Sequence, residues 1–388
     1  MEKEMAEDLI PGLPQEVARE CLIRVPYDRL PAGRSVCRAW RRELGSAAYH
    51  RLRKRAGSAR PILALAQAEK EPSSLSFSGP AHKYGAAPLS SAYGVSLLDP
   101  SAGSWAKLPP IPGLPRGLPL FCRLAAVGTQ LVVLGGWDPD TWAPSDAVHV
   151  YDFLSGAWRR GAPIPGPRRS FFACAAAPLE STVYVAGGHD EEKNALRSAL
   201  AYDAAADEWA PLPDMARERD EPRGVLLRGS FCVVGGYATE AQGRFGRSAE
   251  AFDPAARAWA PVGEHALDEP ACPRTCAADV SGRMYMVRAP GGHVAVREGD
   301  AWRVAAEVPE EARVVGRWWR RGGEGGGVGS GPGPHAGGLF ACVLEEEEEE
   351  EEEEKQSNEG EAKGATWTKM EAPKEFSGHI QDACCVVI

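Results

Sequence analysis

Residue types that carry chemistry are plentiful in this chain, but they do not converge on a reaction. Its ten cysteines and eight histidines are scattered, and the pair Cys272 and Cys276 has no second pair with which to complete a zinc site. Glu371, Glu375 and His379 recur at fours, a spacing that would put two carboxylates and an imidazole on one helix face, but Pro373 interrupts such a helix. There is no phosphate-cradling glycine loop and no Gly-x-Ser-x-Gly elbow. Cys385-Val386-Val387-Ile388 has the form of a prenylation box, although a terminal isoleucine is unusual and a closing strand accounts for the same residues. The expectation is a chain that is not an enzyme, with no cofactor and no metal. What remains is arginine beside aromatic residues, the composition enriched at protein-binding hot spots. Trp137, Asp138, His189 and Tyr237, with Arg168, Arg169, Arg217 and Arg274, are the candidates for holding a partner.

The element that must position them is a repeat. Residues 131–136 read Leu-Val-Val-Leu-Gly-Gly, and Tyr151-Asp152 follows, seven residues before Trp158. The unit returns with Gly187 and Gly188, Tyr202 and Trp209, and again with Gly235 and Gly236, Phe252 and Trp259. Gly135 and Gly136 open this series. Marker tryptophans at 105, 158, 209, 259 and 302, with Trp367 further on, suit four-stranded blades, each too short to bury its own apolar face without neighbours. Loops after the glycine pairs and loops between blades should emerge at one end of the disc. Nothing like the first strand of the later units precedes Ile62, so the C-terminal run 382–388 is expected to pair beside 62–66 and close the ring.

Residues 9–55 differ in kind. They hold eleven Arg and Lys against four Asp and Glu, whereas the chain's net charge of −10 equals the ten glutamates at 345–354. A basic module suggests an acidic partner, and nucleic acid is disfavoured because no aromatic residues interleave with the charge. Pro11, Pro14, Pro26 and Pro31 punctuate three short amphipathic helices. The basic cluster Arg51, Arg53, Lys54 and Arg55 reads as a solvated helix end, with a nuclear address as the alternative. No run has membrane-spanning length, and the scattered cysteines suggest a reducing compartment, cytoplasmic or nuclear.

The series Leu13-Pro14, Val17, Leu22, Val25-Pro26, Leu30, Val36-Cys37 and Trp40 resembles an F-box, and the repeats resemble kelch units. The chain is thus similar to plant F-box/kelch-repeat proteins. The resemblance implies a small all-α F-box module (9–55) followed by an all-β kelch propeller of six blades (61–388), closed by the C-terminal strand, with disordered insertions at 322–338 and 345–363 of the last blade. It further implies a substrate receptor whose F-box residues bind the Skp adaptor of a cullin-RING ubiquitin ligase and whose propeller holds a target. A subgroup it resembles targets phenylalanine ammonia-lyase and so restrains phenylpropanoid synthesis. The rival readings are a stand-alone kelch scaffold and a metal-dependent kelch-fold enzyme.

Overall fold

The computed structural model describes residues 8–69, 92–177, 181–279, 282–288, 292–308 and 370–388, together with the backbone alone of Val315–Arg321, Glu324–Ser330, Leu339–Leu344 and 366–369. Of the insertions expected at 322–338 and 345–363, residues 322–323, 331–338 and 345–363 lie outside the described residues.

Four short helices form the N-terminal module: α1 (Gln15–Leu22), α2 (Leu30–Val36), α3 (Arg38–Leu44) and α4 (Ala47–Arg55). One more is present than the three expected, because Cys37 is extended (φ −156°) and splits a run that reads as one helix. Its Sγ accepts the Trp40 amide and so caps α3 at 3.4 Å. Ala18, Leu22, Leu30, Leu44 and Tyr49 make the small core. Arg53 is buried and donates to the carbonyls of Ile23, Val25 and Ser58, so it is a staple rather than part of a solvated cluster.

Sheets follow, and five of them carry a described blade core. Blade 1 sets Ile380–Val387 beside Pro61–Ala68, Tyr93–Asp99 and Ser104–Lys107. Blade 2 comprises Arg123–Val127, Gln130–Leu134, Val148–Asp152 and Ala157–Gly161. Blade 3 comprises Ala173–Ala176, Thr182–Ala186, Ala199–Asp203 and Glu208–Leu212. Blade 4 runs Arg223–Leu227, Ser230–Val234, Ala249–Asp253 and Ala258–Trp259. Blade 5 runs Ala277–Ala278, Met284–Arg288, His293–Glu298 and Ala301–Glu307.

The expected six kelch blades are therefore corrected to five. The arc between blade 5 and blade 1 holds one further four-stranded sheet (Val315–Arg321, Glu324–Ser330, Leu339–Leu344, Thr366–Met370), described as backbone pairing alone. Its second strand reads Glu-Gly-Gly-Gly-Val-Gly-Ser, where the other blades carry runs such as Leu-Val-Val-Leu. Glycine supplies no side chain with which to build a blade core.

The last strand of the chain is the inner strand of blade 1, with Ile62 opposite Val386 and Ala64 opposite Cys384. Main-chain groups of Ile388 and Arg60 bond reciprocally, at 2.7 and 2.9 Å, and Val386 and Ile388 are buried. The terminal four residues are thus committed to the sheet and its closure, and burial pushes the Cys385 thiol up to about 12.

The repeat signature has a local mechanism. Tyr151 pairs with Trp158, Tyr202 with Trp209 and Phe252 with Trp259 across the hairpin of the two outer strands, at ring distances of 5.1, 4.9 and 5.4 Å. The Asp between them closes the turn: Asp203 Oδ1 accepts the amides of Ala205 and Ala206, as Asp253 does for Ala255 and Ala256. The indoles also latch neighbouring blades, since Trp158, Trp209 and Trp259 Nε1 donate to the carbonyls of Pro109, Ala162 and Pro213. Two glycines are required by close approach. A Cβ on Gly188 (φ +81°) would lie 2.3 Å from the Ser170 carbonyl oxygen, and one on Gly224 2.7 Å from the Cys174 amide.

The helical module sits against this ring. Pro31 packs on Gly156, and Tyr27 packs edge-on to Phe153, in the outer hairpin turn of blade 2. One apolar cluster runs from Leu22 and Leu30 through Phe153 and Leu154 to Val386. Strands alternate in direction, so the outer hairpin turns emerge at one end of the disc, while the glycine-pair loops and the connections between blades emerge at the other. The module therefore occupies the end opposite those loops.

Candidate functional site

Two surfaces have the chemistry to engage partners. On the helical module, the ten sequence candidates divide by burial. Leu22 and Leu30 are core, and Val25 and Trp40 are half-buried, with the Trp40 indole donating to the Leu9 carbonyl at 2.6 Å. Leu13, Val17 and Val36 are exposed by 37%, 45% and 63%, and Pro14, Pro26 and Cys37 are exposed with them. Val17 lies on α1 and Val36 ends α2. These three aliphatic side chains of one small module face solvent and are available to a partner.

On the propeller, one construction recurs at three blades of the loop-bearing end. The residue after each glycine pair exchanges two main-chain hydrogen bonds with the segment that enters its own blade: Trp137 with Leu120, His189 with Ser170 and Tyr237 with Asp220. The residue that follows each bridge partner, Phe121, Phe171 or Glu221, then takes a left-handed backbone with φ of 59°, 54° and 49°. That conformation costs a non-glycine residue about 1–2 kcal/mol, and such outliers gather at functional sites. Rings meet here: Phe121 lies 5.1 Å from Phe171 and 5.9 Å from Trp137, and Phe171 lies 5.5 Å from His189. Trp142, 43% exposed, packs edge-on to Trp137 at 6.0 Å.

The loop candidates are held in different ways. The Trp137 indole donates to Ser170 Oγ, His189 Nδ1 lies 2.9 Å from Asp220 Oδ1, and the Tyr237 hydroxyl donates to Glu221 at 3.0 Å, so these side chains also brace the loops. Burial and the carboxylates of Asp220 and Glu221 raise the Tyr237 hydroxyl far above its ordinary value. Asp138 shapes its own loop, accepting from Thr141 and from the Asp140 amide. Arg168 and Arg217 are exposed but engaged, the first with Asp146 and Glu191, the second with Glu264.

Arg169 lies 2% exposed beneath the surface, bound to the carbonyls of Gly187 and Ser198 and to the Ser198 hydroxyl. Arg219 repeats that role at Gly235 and Ser248 and adds an ion pair with buried Glu250 at 3.1 Å. Blade 2 has Ala147 where these blades have Ser198 and Ser248. Arg274 is exposed.

Sequence reasoning missed Phe121, Phe171, Arg123 and Arg223. A signal existed, since Phe-Cys-Arg at 121–123 and Glu-Pro-Arg at 221–223 stand at equivalent points, entering the inner strands of blades 2 and 4. Among the described residues no three His, Cys, Asp or Glu side chains converge as a metal site. Glu375 falls in the 3-10 turn Lys374–Phe376, and His379 pairs with the Tyr93 hydroxyl at 3.1 Å.

Comparison with known proteins identifies the family of the chain. The Kelch motif model matches residues 120–165 and 170–216, which span blades 2 and 3. The F-box/kelch-repeat protein At1g80440 of Arabidopsis thaliana is 45% identical over 311 residues, 79% of this chain and 84% of that protein. A second Arabidopsis thaliana relative, F-box/kelch-repeat protein At1g15670, is 39% identical over 389 residues, 98% of this chain and all of its own length. No enzymatic family is indicated, and the chain belongs to the F-box/kelch-repeat family.

Proposed function

We propose that this protein is the substrate-recognition subunit of a Skp-cullin-F-box ubiquitin ligase. The observation that carries the reading is the placement of two partner-type surfaces at opposite ends of one packed body. Exposed Leu13, Val17 and Val36 on the basic helical module form the adaptor face, while the strained aromatic loops at the far end of the propeller hold a target. The chain contributes proximity, not bond chemistry: a target held by a packed body is presented to the ubiquitin-loaded subunit at a fixed span. Shared packing through Pro31, Gly156 and Phe153 supports such a fixed span.

The adaptor, being acidic, suits the +7 balance of residues 9–55, obtained from eleven basic minus four acidic side chains. Phenylalanine ammonia-lyase, the target implied by the resemblance, is the first to try, and a cytoplasmic or nuclear site of action accompanies the reading. The test is an adaptor pull-down with Val17→Asp and Val36→Asp, positions chosen because both are exposed and their change leaves the core intact. Loss of adaptor binding at unchanged thermal stability is expected. Retained binding would overturn the ligase reading in favour of a stand-alone scaffold.

A further inference from the structure

Arg123 and Arg223 open the inner strands of blades 2 and 4, and inner strands line the axis of the ring. Each is the first residue after a connection between blades, which places it at the loop-bearing end, at the mouth of the axis. Each is half-buried and anchored by one bond into the following blade: Arg123 Nε donates to the Phe172 carbonyl at 3.1 Å, and Arg223 Nε to the Cys276 carbonyl at 3.0 Å.

That anchoring leaves the two Nη groups of each guanidinium unspent. No carboxylate forms an ion pair with Arg123, Arg223 or exposed Arg274 among the described residues, in contrast to the buried Arg219–Glu250 pair at the same end. A neighbouring cation acts on each of the two inner-strand arginines. Arg223 is pulled down to about 10, by burial first and then by the charge of Arg123, while Arg123 is lowered by burial with Arg274 adding to it. Glu221 is the carboxylate that bears on Arg123, and it is committed to the Tyr237 hydroxyl, with Asp220 beside it committed to His189; buried Asp382 nearby is committed to the Leu124 amide. Like charges held together at a mouth with free donors form an anion site.

We propose that this mouth is a carboxylate-recognition site: Arg123, Arg223 and Arg274 take an acidic side chain of a target peptide, while the apolar residue next to it rests on Phe121, Phe171 and Trp137. The inference rests on the receptor reading and names what its propeller selects. A single carboxylate fits better than a phosphate dianion, because Asp220 and Glu221 stand at the same rim and repel the doubled charge more strongly. Holding Phe121 and Phe171 in left-handed backbone fixes the rings beside the cations before a ligand arrives, which lowers the ordering cost of binding.

The test uses the full chain and a fluorescein-labelled heptapeptide, Gly-Ser-Glu-Phe-Glu-Ser-Gly, followed by polarisation. Its Gln-Phe-Gln counterpart should bind at least about tenfold more weakly, since each guanidinium–carboxylate contact is worth about a factor of ten or more. Arg123→Met with Arg223→Met should lower affinity for the Glu peptide by about tenfold to a hundredfold, while Arg123→Lys with Arg223→Lys should keep part of it. Equal binding of the two peptides, an unaffected methionine variant, or no binding of the Glu peptide at about 1 mM would overturn the proposal. So would a phosphoserine peptide that binds about tenfold tighter than the Glu peptide. Adaptor pull-down on the same preparations separates the two readings. A chain that captures the adaptor but ignores the Glu peptide loses this site and keeps the ligase role.

Discussion

Two sets of arginines occupy the same end of the propeller, in or just after the connections between blades, and their environments are opposite. Arg169 and Arg219 are 2% and 3% exposed and held by carbonyls, a serine hydroxyl and, for Arg219, a carboxylate. Arg123 and Arg223 stand at the ring mouth with one carbonyl each. The difference teaches that a guanidinium in a loop-rich face is architectural when it bridges the ends of the glycine-pair loop. It is available for recognition when its only bond leaves the Nη donors free. Side-chain type does not separate the cases; the number of fixed acceptors does.

The sharpest way to break this comparison is Arg219→Met. It strands Glu250, which is 1% exposed and otherwise held by the amides of Ala216 and Arg217, so chemical denaturation should show a loss of about 3–5 kcal/mol. Arg169→Met should cost less, about 2 kcal/mol, because it orphans carbonyls and a hydroxyl but no carboxylate. Equal losses at the two positions would mean that Glu250 contributes nothing.

The helical module extends the comparison to a third buried arginine. Arg53, which donates to three carbonyls, lies beside His50, whose imidazole is held down to about 4 by burial and then by the Arg53 charge. Its folded value lies below the unfolded value of about 6.5, so the unfolded chain takes up the proton first. Stability from this group is fully present above pH 6.5 and falls as pH drops toward 4. At pH 5 the loss should be about 2 kcal/mol relative to pH 7. A His50→Phe chain measured over the same range should show a shallower slope, and an unchanged slope would remove His50 as its source.

The smallest effect is expected at the latch. Trp259→Phe deletes the bond to the Pro213 carbonyl while keeping a ring against Phe252, and should cost about 1 kcal/mol by the same denaturation. At the other limit, Arg123→Met should change stability by less than about 1 kcal/mol. A larger loss would place Arg123 with the architectural set.

Much of the fold was legible because the repeat is a local device. A seven-residue spacing of aromatic and tryptophan is a cross-strand pair, the intervening Asp is a turn, and a glycine pair is a left-handed corner, so each can be read along the chain. The closing strand was legible for a related reason: blade 1 lacks an inner strand in its own sequence, and 382–388 has the right character. The blade count was not. Regular tryptophans continue to Trp302 and Trp367, but a blade needs apolar faces on all its strands, and Glu324–Ser330 is mostly glycine.

The candidate sites were legible in part. In the helical module the ten-residue pattern mixes partner-facing Val17 and Val36 with core Leu22 and Leu30, because one amphipathic pattern serves both purposes and burial alone distinguishes them. In the loops, Arg169 and Arg274 look alike as letters. Only the ring decides that one reaches Ser198 and the other solvent.

By itself, the sequence determined the two modules, their order, the four-stranded unit, the need for neighbours and the strand that closes the first blade. Those properties follow from spacing and from side-chain volume, which act between residues near in the chain or through a missing partner. The tertiary structure alone decided which arginines are spent, which aromatics are strained, and that the helical module packs at the end away from the loops. Such outcomes depend on acceptors and surfaces contributed by other blades, and no spacing along one blade records where the next will lie.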